Sequence, residues 1–287
     1  MLKKLETKLR AMRTSLMRSF FETPAGMRAL VQSLPPRFKY VVIEGREFDL
    51  LLDPRDYVGK RIAVSGNWNA AQTAAFLDFY KSTFGARPEK AMLEIGAHIG
   101  TQSLQFAASG LFGRVVSVEP MPENFAILSH NIRLNGLEGV VAAVNCAVSD
   151  TAGTAAMQAD AVNSGAHTLR AAQAGSDARS VEVEVLPVGD VLARAGVAAG
   201  DVGCLWIDAE GFEFEIVRSA LDAGIRGAMF NVEFTPGFYG KAKTAEFIAF
   251  LEANFNSVHM VAGDGVNPAR FEDLNKIPIQ QDIILVN

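Results

Sequence analysis

The sequence predicts an α/β protein built on a largely parallel sheet, and three observations carry that prediction. From Lys90 onward, short apolar runs alternate with segments of helical length and periodicity. Runs such as AMLEIG, RVVSVEP and CLWIDAEG end at glycine, proline or acidic residues, where a strand hands over to a helix. Over 287 residues, 49% hydrophobic composition supplies enough apolar surface for one large core or two modest ones.

In chain order, residues 1–20 come first. Leu2, Leu5, Leu9, Met12 and Leu16 fall at three- and four-residue steps, which puts them on one face of a helix. Around that stripe lie Lys3, Lys4, Lys8, Arg10, Arg13 and Arg18 against a single acid, Glu6. Such a helix docks on its own domain, pairs with a second copy, or lies peripherally on an anionic membrane surface. Pro24, Gly26 and Pro35-Pro36 then punctuate the chain ahead of two β-rich runs, YVVIEG and EFDLLLDP, expected to form a hairpin about Gly45-Arg46. AAQTAAFLDFYKSTF has helical periodicity and stops at Gly85 with Pro88 beyond. Residues 1–88 are therefore expected to form an N-terminal extension and residues 89–287 the main domain.

Within the main domain the order is AMLEIG, a helix through TQSLQFAAS, RVVSVEP, a helix through PENFAILSHNIRLNG, VVAAVNCAVSD, VEVEVLPVGD, CLWIDAEG, a helix through FEFEIVRSALDAG, and GAMFNVEF. NSVHMVAG and QDIILVN close the sheet. Strand–helix–strand succession implies right-handed crossovers and a parallel sheet. A cofactor then sits at the carboxyl ends of the strands, where their order reverses.

A formal net charge of −5 gives no global electrostatic reason to expect nucleic acid as a partner. The two cysteines, Cys146 and Cys204, lie in apolar runs and are expected to be small buried core residues. No apolar run approaches the roughly 20 residues of a spanning helix, and arginines interrupt any signal-peptide core, so a cytoplasmic location is the expectation.

The chemistry concentrates in MLEIGAHIGTQS, residues 92–103. Glu94 ends a strand, Gly96 lets the chain turn, and Gly100 opens a helix where a ligand can approach backbone amides without interference from a Cβ. The same pattern also fits a plain strand-to-helix turn. Glu119 ends the next strand about 20 residues on, the separation at which a carboxylate can accept both ribose hydroxyls; it also suits a surface acid or a helix cap ahead of Pro120 and Pro122. The G-x-G-x-x-G of a pyrophosphate-binding turn is absent, which disfavours a nicotinamide cofactor. No His/Cys/Asp cluster has metal-ligand spacing and nothing in the sequence calls for a metal, although carboxylates from separate strands can meet in space. No G-x-S-x-G elbow is present either.

LEIGAHIGTQS, VVSVEPMPENFAILSHNIRLNGL, NCAVSDTAG and LWIDAEGFEFEIVRSA, in this order and spacing, resemble the FkbM family of S-adenosylmethionine-dependent methyltransferases over roughly residues 90–235. That resemblance implies a Rossmann-like class I methyltransferase fold: a seven-stranded, mostly parallel sheet with helices on both faces, preceded here by a helix and hairpin. It implies S-adenosylmethionine as cofactor, with Glu94, Gly96, His98, Gly100 and Thr101 at its methionine end, Glu119 and Pro120 at the ribose, and Ala147 and Ser149 over the adenine. The family usually carries Asn where His98 stands; a histidine still donates or accepts a hydrogen bond.

Asp208, after the fourth strand, is expected beside the transferring methyl group, where it orients or deprotonates the acceptor. Glu210 is a substrate-binding candidate, or a helix cap ahead of FEFEIVRSA. In the small-residue segment Asn163-Ser-Gly-Ala-His167, Asn163 is a substrate-binding candidate. His167 has the proton affinity of a general base, or is an exposed loop histidine. Glu233, at the end of FNVEF, is a further catalytic candidate, and Phe238 and Tyr239 wall an acceptor pocket or pack within the loop. The family resemblance alone implies the acceptor, with O-methylation of a sugar, glycan or secondary-metabolite hydroxyl as the reaction expected. A nucleotide-dependent oxidoreductase and a non-catalytic scaffold are the alternatives.

Overall fold

The computed structural model describes residues 12–17, 19–35, 37–45, 47–158, 180–263 and 265–287. The chain divides into two compact units, Met1–Trp68 and Asn69–Asn287.

In the first unit, residues 12–17 and 19–21 are helical and largely exposed, with Met12, Leu16, Met17 and Phe20 at 50–63% exposure; residues 1–11 and Arg18 lie outside the described residues. Helix α1 (Pro24–Ser33) starts at Thr23, whose side chain accepts the Gly26 N–H. The expected hairpin is present as β1 (Val41–Ile43) and β2 (Leu50–Leu52), paired antiparallel with Val42 opposite Leu51. Helix α2 (Tyr57–Ser65) is capped by Asp56 and stopped by the left-handed Gly66. Val31, Leu50, Leu52, Val58 and Ile62 are buried.

The second unit begins with α3 (Ala70–Phe84), so the helix expected from AAQTAAFLDFYKSTF goes with the sheet, burying Phe76 and Tyr80 in its core. Next come β3 (Arg87–Ile95), α4 (Thr101–Ala108), β4 (Phe112–Val118), α5 (Pro122–Leu134) and β5 (Val141–Val144). They are followed by β6 (Ala147–Ser149), β7 (Gly153–Gln158), β8 (Ser180–Pro187) and α6 (Val188–Ala195). The chain ends through β9 (Val202–Ile207), α7 (Glu213–Asp222), β10 (Met229–Phe234), α8 (Gly240–Asn254), β11 (Ser257–Ala262), β12 (Gly265–Ala269) and β13 (Gln281–Val286).

The main sheet has eight strands in the order β12-β11-β13-β10-β9-β3-β4-β5, one more than the seven expected. Its five central and edge strands β10, β9, β3, β4 and β5 are parallel, and β13 runs antiparallel to β10. The additional strand, β12, is an antiparallel edge partner of β11 and carries Pro268, which an edge tolerates because no ladder donor is needed on its open side.

Two sequence expectations are corrected. VVAAVNCAVSD is not one strand but two: the chain leaves the main sheet after Val144, where the Asn145 amide donates to the carbonyls of Glu119 (2.7 Å) and Pro120 (2.9 Å). VEVEVLP is not in the main sheet; as β8 it is central in a separate three-stranded sheet, β6-β8-β7. Its alternation, with Glu182 and Glu184 exposed against buried Val183 and Val185, belongs to a strand with one wet face.

Layers cover both faces of the main sheet. Leu93, Ile95, Val116, Leu205 and Ile207 pack with α6, α7 and α8 through Val191, Val217 and Phe247. On the opposite face Met92, Val115, Cys204 and Trp206 meet α3, α4 and α5 through Phe76, Phe106 and Leu128. Both cysteines are free and fully buried, as expected. Among the described residues no helix is long and apolar enough to cross a membrane.

Candidate active site

The strand order reverses at β3. From it β4 and β5 step one way and β9 and β10 the other, so the helices that follow β3 and β9 pack on opposite faces and leave a crevice at the strands' carboxyl ends. The Gly96 loop and the Asp208 turn meet there. The Asp208 N–H donates to the Ile95 carbonyl at 3.0 Å, and a Cβ on Gly96, whose φ is +89°, would lie 1.8 Å from the Asp208 carbonyl oxygen. Only glycine fits between these two backbones.

His98 continues the loop at φ +51°, in the left-handed region that His, Asn and Asp enter more readily than other side-chain residues. This gives a backbone reason for His here and for Asn in the resembling family. Its N–H donates to Glu119 Oε2 at 2.9 Å, while Glu119 Oε1 accepts from the Met121 N–H (3.0 Å) and the Asn124 amide (3.3 Å). Three donors against a carboxylate's roughly four acceptor directions leave room on Glu119 for a further donor. Burial raises its pKa to about 7. Asn124 and Asn145 were not singled out from sequence; their signal, an Asn on the first turn of a helix and one at a strand end, is common to many structural caps.

Glu94 is 1% exposed, and its Oε2 accepts from Ser103 of α4 and from Ser117 of β4 at 2.8 Å. It thus ties the start of α4 to the sheet. Burial pushes its pKa up to about 7. The folded chain therefore holds a proton that the unfolded chain releases near 4.5, so this contribution to stability is full below about pH 4.5 and is lost as pH rises through 7. Glu94→Gln should flatten that part of the profile: urea unfolding at pH 5 and pH 8 should show wild type losing about 2.5 kcal/mol more than the variant. Equal losses in the two proteins would refute this assignment.

Gly100 caps α4 at φ +91°, and Thr101 is buried with its hydroxyl on Gln102. Pro120 is half-buried, and its carbonyl accepts from Asn145. Ala147 is buried among Met121, Met157 and Val185, and half-buried Ser149 stands beside Asp150, which pairs with Arg218.

The acidic side of the crevice lies across β9, β10 and β13. Val232 pairs with Ile207, and Glu233 pairs with Asp282, so Asp208, Glu233 and Asp282 form one row across three strand ends. Asp208 and Glu233 share a hydrogen bond, and burial together with their mutual and neighbouring negative charge raises both pKa values. Burial raises Asp282 to about 6, and Gln72 of α3 donates to it; Gln280 donates to Glu233. Glu210 holds a left-handed backbone, φ +49°, and burial followed by the Glu213 charge raises its pKa to about 7.

Glu210 does not cap α7, whose N-cap Phe212 makes no side-chain cap bond; the acid that ties the helix start to the preceding turn is Glu213. Fully buried, it accepts from the N–H groups of Ala209 (3.1 Å) and Gly211 (3.0 Å) and from the Tyr239 hydroxyl. Sequence reasoning missed Glu213 because the turn at Glu210-Gly211 delays the helix. The Tyr239 hydroxyl is thereby committed, its ring stands edge-on to Phe247, and half-buried Phe238 closes a short 3₁₀ turn. Asn163 and His167 lie outside the described residues.

Residues 94–257 match the family model of the methyltransferase FkbM domain. No curated protein matches the chain. Similar solved structures include P. horikoshii TYW2 in complex with MeSAdo, at 14% identity over 86% of this chain and 72% of that one, with a TM-score of 0.44. The O-methyltransferase from Bacillus cereus in complex with SAH is similar at 15% identity over 77% of this chain and 83% of that one, with a TM-score of 0.46.

Proposed function

Because the chain belongs to the FkbM methyltransferase family, we propose that it transfers a methyl group from S-adenosylmethionine to a hydroxyl oxygen of a small-molecule or glycan acceptor. The observation that carries this reading is the meeting of the Gly96 loop, Glu119 and Asp208 at one crevice of the sheet.

The residues present fit the cofactor. Glu119 retains acceptor capacity for ribose hydroxyls, Gly96 lets the β3 loop lie directly against the Asp208 turn, and the β5–β6 junction with Ala147 and Ser149 offers an adenine cover. Glu94, buried behind the loop, acts as a positioning residue through Ser103. Bound there, S-adenosylmethionine supplies a methyl group made electrophilic by its sulfonium charge.

What the chain itself must do is seat the acceptor in line and remove its proton. The Asp208–Glu233 pair holds a shared proton, and its anionic member receives the proton of the acceptor hydroxyl. Glu210 contributes an acceptor-side hydrogen bond from its left-handed turn. Phe238 and the ring of Tyr239 wall the pocket; with its hydroxyl on Glu213, Tyr239 offers a surface rather than a donor. His167 and Asn163, outside the described residues, are acceptor-side candidates on their sequence alone.

Thermal melting with two ligands tests the proposal. S-adenosylhomocysteine at about 100 times its dissociation constant should stabilise the protein by about 2.7 kcal/mol, with NAD leaving the transition unmoved. A shift with NAD alone would transfer the protein to the oxidoreductases, and no shift with either ligand would mark a scaffold.

A further inference from the structure

We propose that Asp208, Glu210 and Glu233 form a binding site for a hard divalent cation, with Asn231 as a further oxygen ligand beneath them. One carboxylate oxygen from each of the three acids lies within 4.8 Å of the others. That spacing is what oxygens around one such cation require, since Mg²⁺ and Ca²⁺ hold their ligands at roughly 2.0–2.6 Å. The three come from two different elements, the turn after β9 and the end of β10, so the constellation is set by the tertiary fold.

A second observation is independent of the acids. Asn231 is 1% exposed, and its carbonyl Oδ1 has no hydrogen-bond partner. A buried amide carbonyl left without a donor is costly, so its presence calls for a ligand. Asn231 precedes Glu233 by two residues on β10, which puts both side chains on the same face of the sheet. Its Nδ2 faces the Asp282 carboxylate and lowers that group's proton affinity through a weak hydrogen-bonding contact, which leaves the Oδ1 as the unmatched atom. The amide therefore points into the acidic row from below. An amide carbonyl and carboxylates together are the ligand set of magnesium, manganese and calcium, not of zinc or copper.

Three carboxylates drawn together in a half-buried crevice repel one another, and a divalent charge offsets that repulsion. If the methyl-transfer reading holds, an acceptor hydroxyl on an open coordination position would have its proton loosened by the cation; the binding site itself does not depend on that reading.

The test uses the full chain stripped of metal, with no cofactor present. Mn²⁺ is titrated while the signal of free Mn²⁺ is followed by electron paramagnetic resonance, with Mg²⁺ and Ca²⁺ as competitors. A single Mn²⁺ should bind with a dissociation constant below about 1 mM. Glu233→Gln and Glu210→Gln should each weaken it at least about tenfold, and Asn231→Leu several-fold. Melting curves in chelator check the fold, and if Glu233→Gln does not fold, Glu210→Gln carries the same test. Absence of Mn²⁺ binding up to about 10 mM, or unchanged affinity in the folded variants, would overturn the site. S-adenosylhomocysteine binding in the same samples keeps the two questions apart: bound Mn²⁺ without bound nucleoside would spare the cation site and sink the cofactor.

Discussion

Gly96→Ala should be the most damaging single methyl in the protein. The added Cβ would sit 1.8 Å from the Asp208 carbonyl oxygen and 2.9 Å from its carbon, both backbone atoms with no rotamer to relieve the clash. The two backbones are held where they are by the Asp208 N–H on Ile95 and by the N–H groups of Gly96 and Ala97, both donating to the Val118 carbonyl. Relief therefore requires β3 and β9 to separate at the crevice. A left-handed penalty of about 1–2 kcal/mol adds to an overpacking cost of about 1–3 kcal/mol. The variant should lose about 2–5 kcal/mol, melt roughly 10 °C lower and fail to bind S-adenosylhomocysteine. Gly100→Ala is the contrast: there the Cβ would meet the Leu128 Cδ1 at 2.7 Å, a side-chain end that can move. A Gly96→Ala protein melting within about 2 °C of wild type would show that the crevice is not held as described.

Asp208→Asn should separate chemistry from binding. Asp208 lies on the turn after β9, hydrogen-bonded to Glu233, and the pair is the proton acceptor in the proposed reaction. The amide keeps the size and backbone of the residue but cannot take a proton. Turnover with a competent acceptor should fall by about 10²–10⁴-fold, the usual worth of a general base, while affinity for S-adenosylhomocysteine changes little. The variant should also be at least as stable as wild type at neutral pH, because one buried negative charge among several is removed. Full methyl transfer by Asp208→Asn would exclude the pair as base.

Much of this site was legible in the sequence, and the illegible part has a physical cause. β3, β4, β9 and β10 are short runs buried on both faces, so their apolar continuity marks them, and the residues that terminate them mark the crevice. Gly96, Glu119, Asp208 and Glu233 were all accessible in that way. VEVEV misled because alternation reports a strand but not which sheet it joins. β12 was hidden by its proline, and α8 by the Pro236-Gly237 and Gly240 that open it. Asp282 and Asn231 were beyond sequence reasoning altogether. Asn231 reaches Asp208 through the parallel register of β10 against β9, and Asp282 through the antiparallel register of β13 against β10, a pairing of segments almost fifty residues apart that no local pattern encodes. Glu213 shows the smaller version of the same limit, since the left-handed backbone at Glu210 shapes the turn whose N–H groups its carboxylate accepts.

The central claim is that the crevice beside β3 and β4 binds S-adenosylmethionine through Glu119. Calorimetric titration of S-adenosylhomocysteine into wild type and Glu119→Ala, both shown to be folded by their melting transitions, tests it most directly. Wild type should bind in the micromolar range and the variant at least about tenfold more weakly, the loss of one or two charge-assisted hydrogen bonds. A folded wild type that does not bind, or a variant that binds equally well, would contradict it.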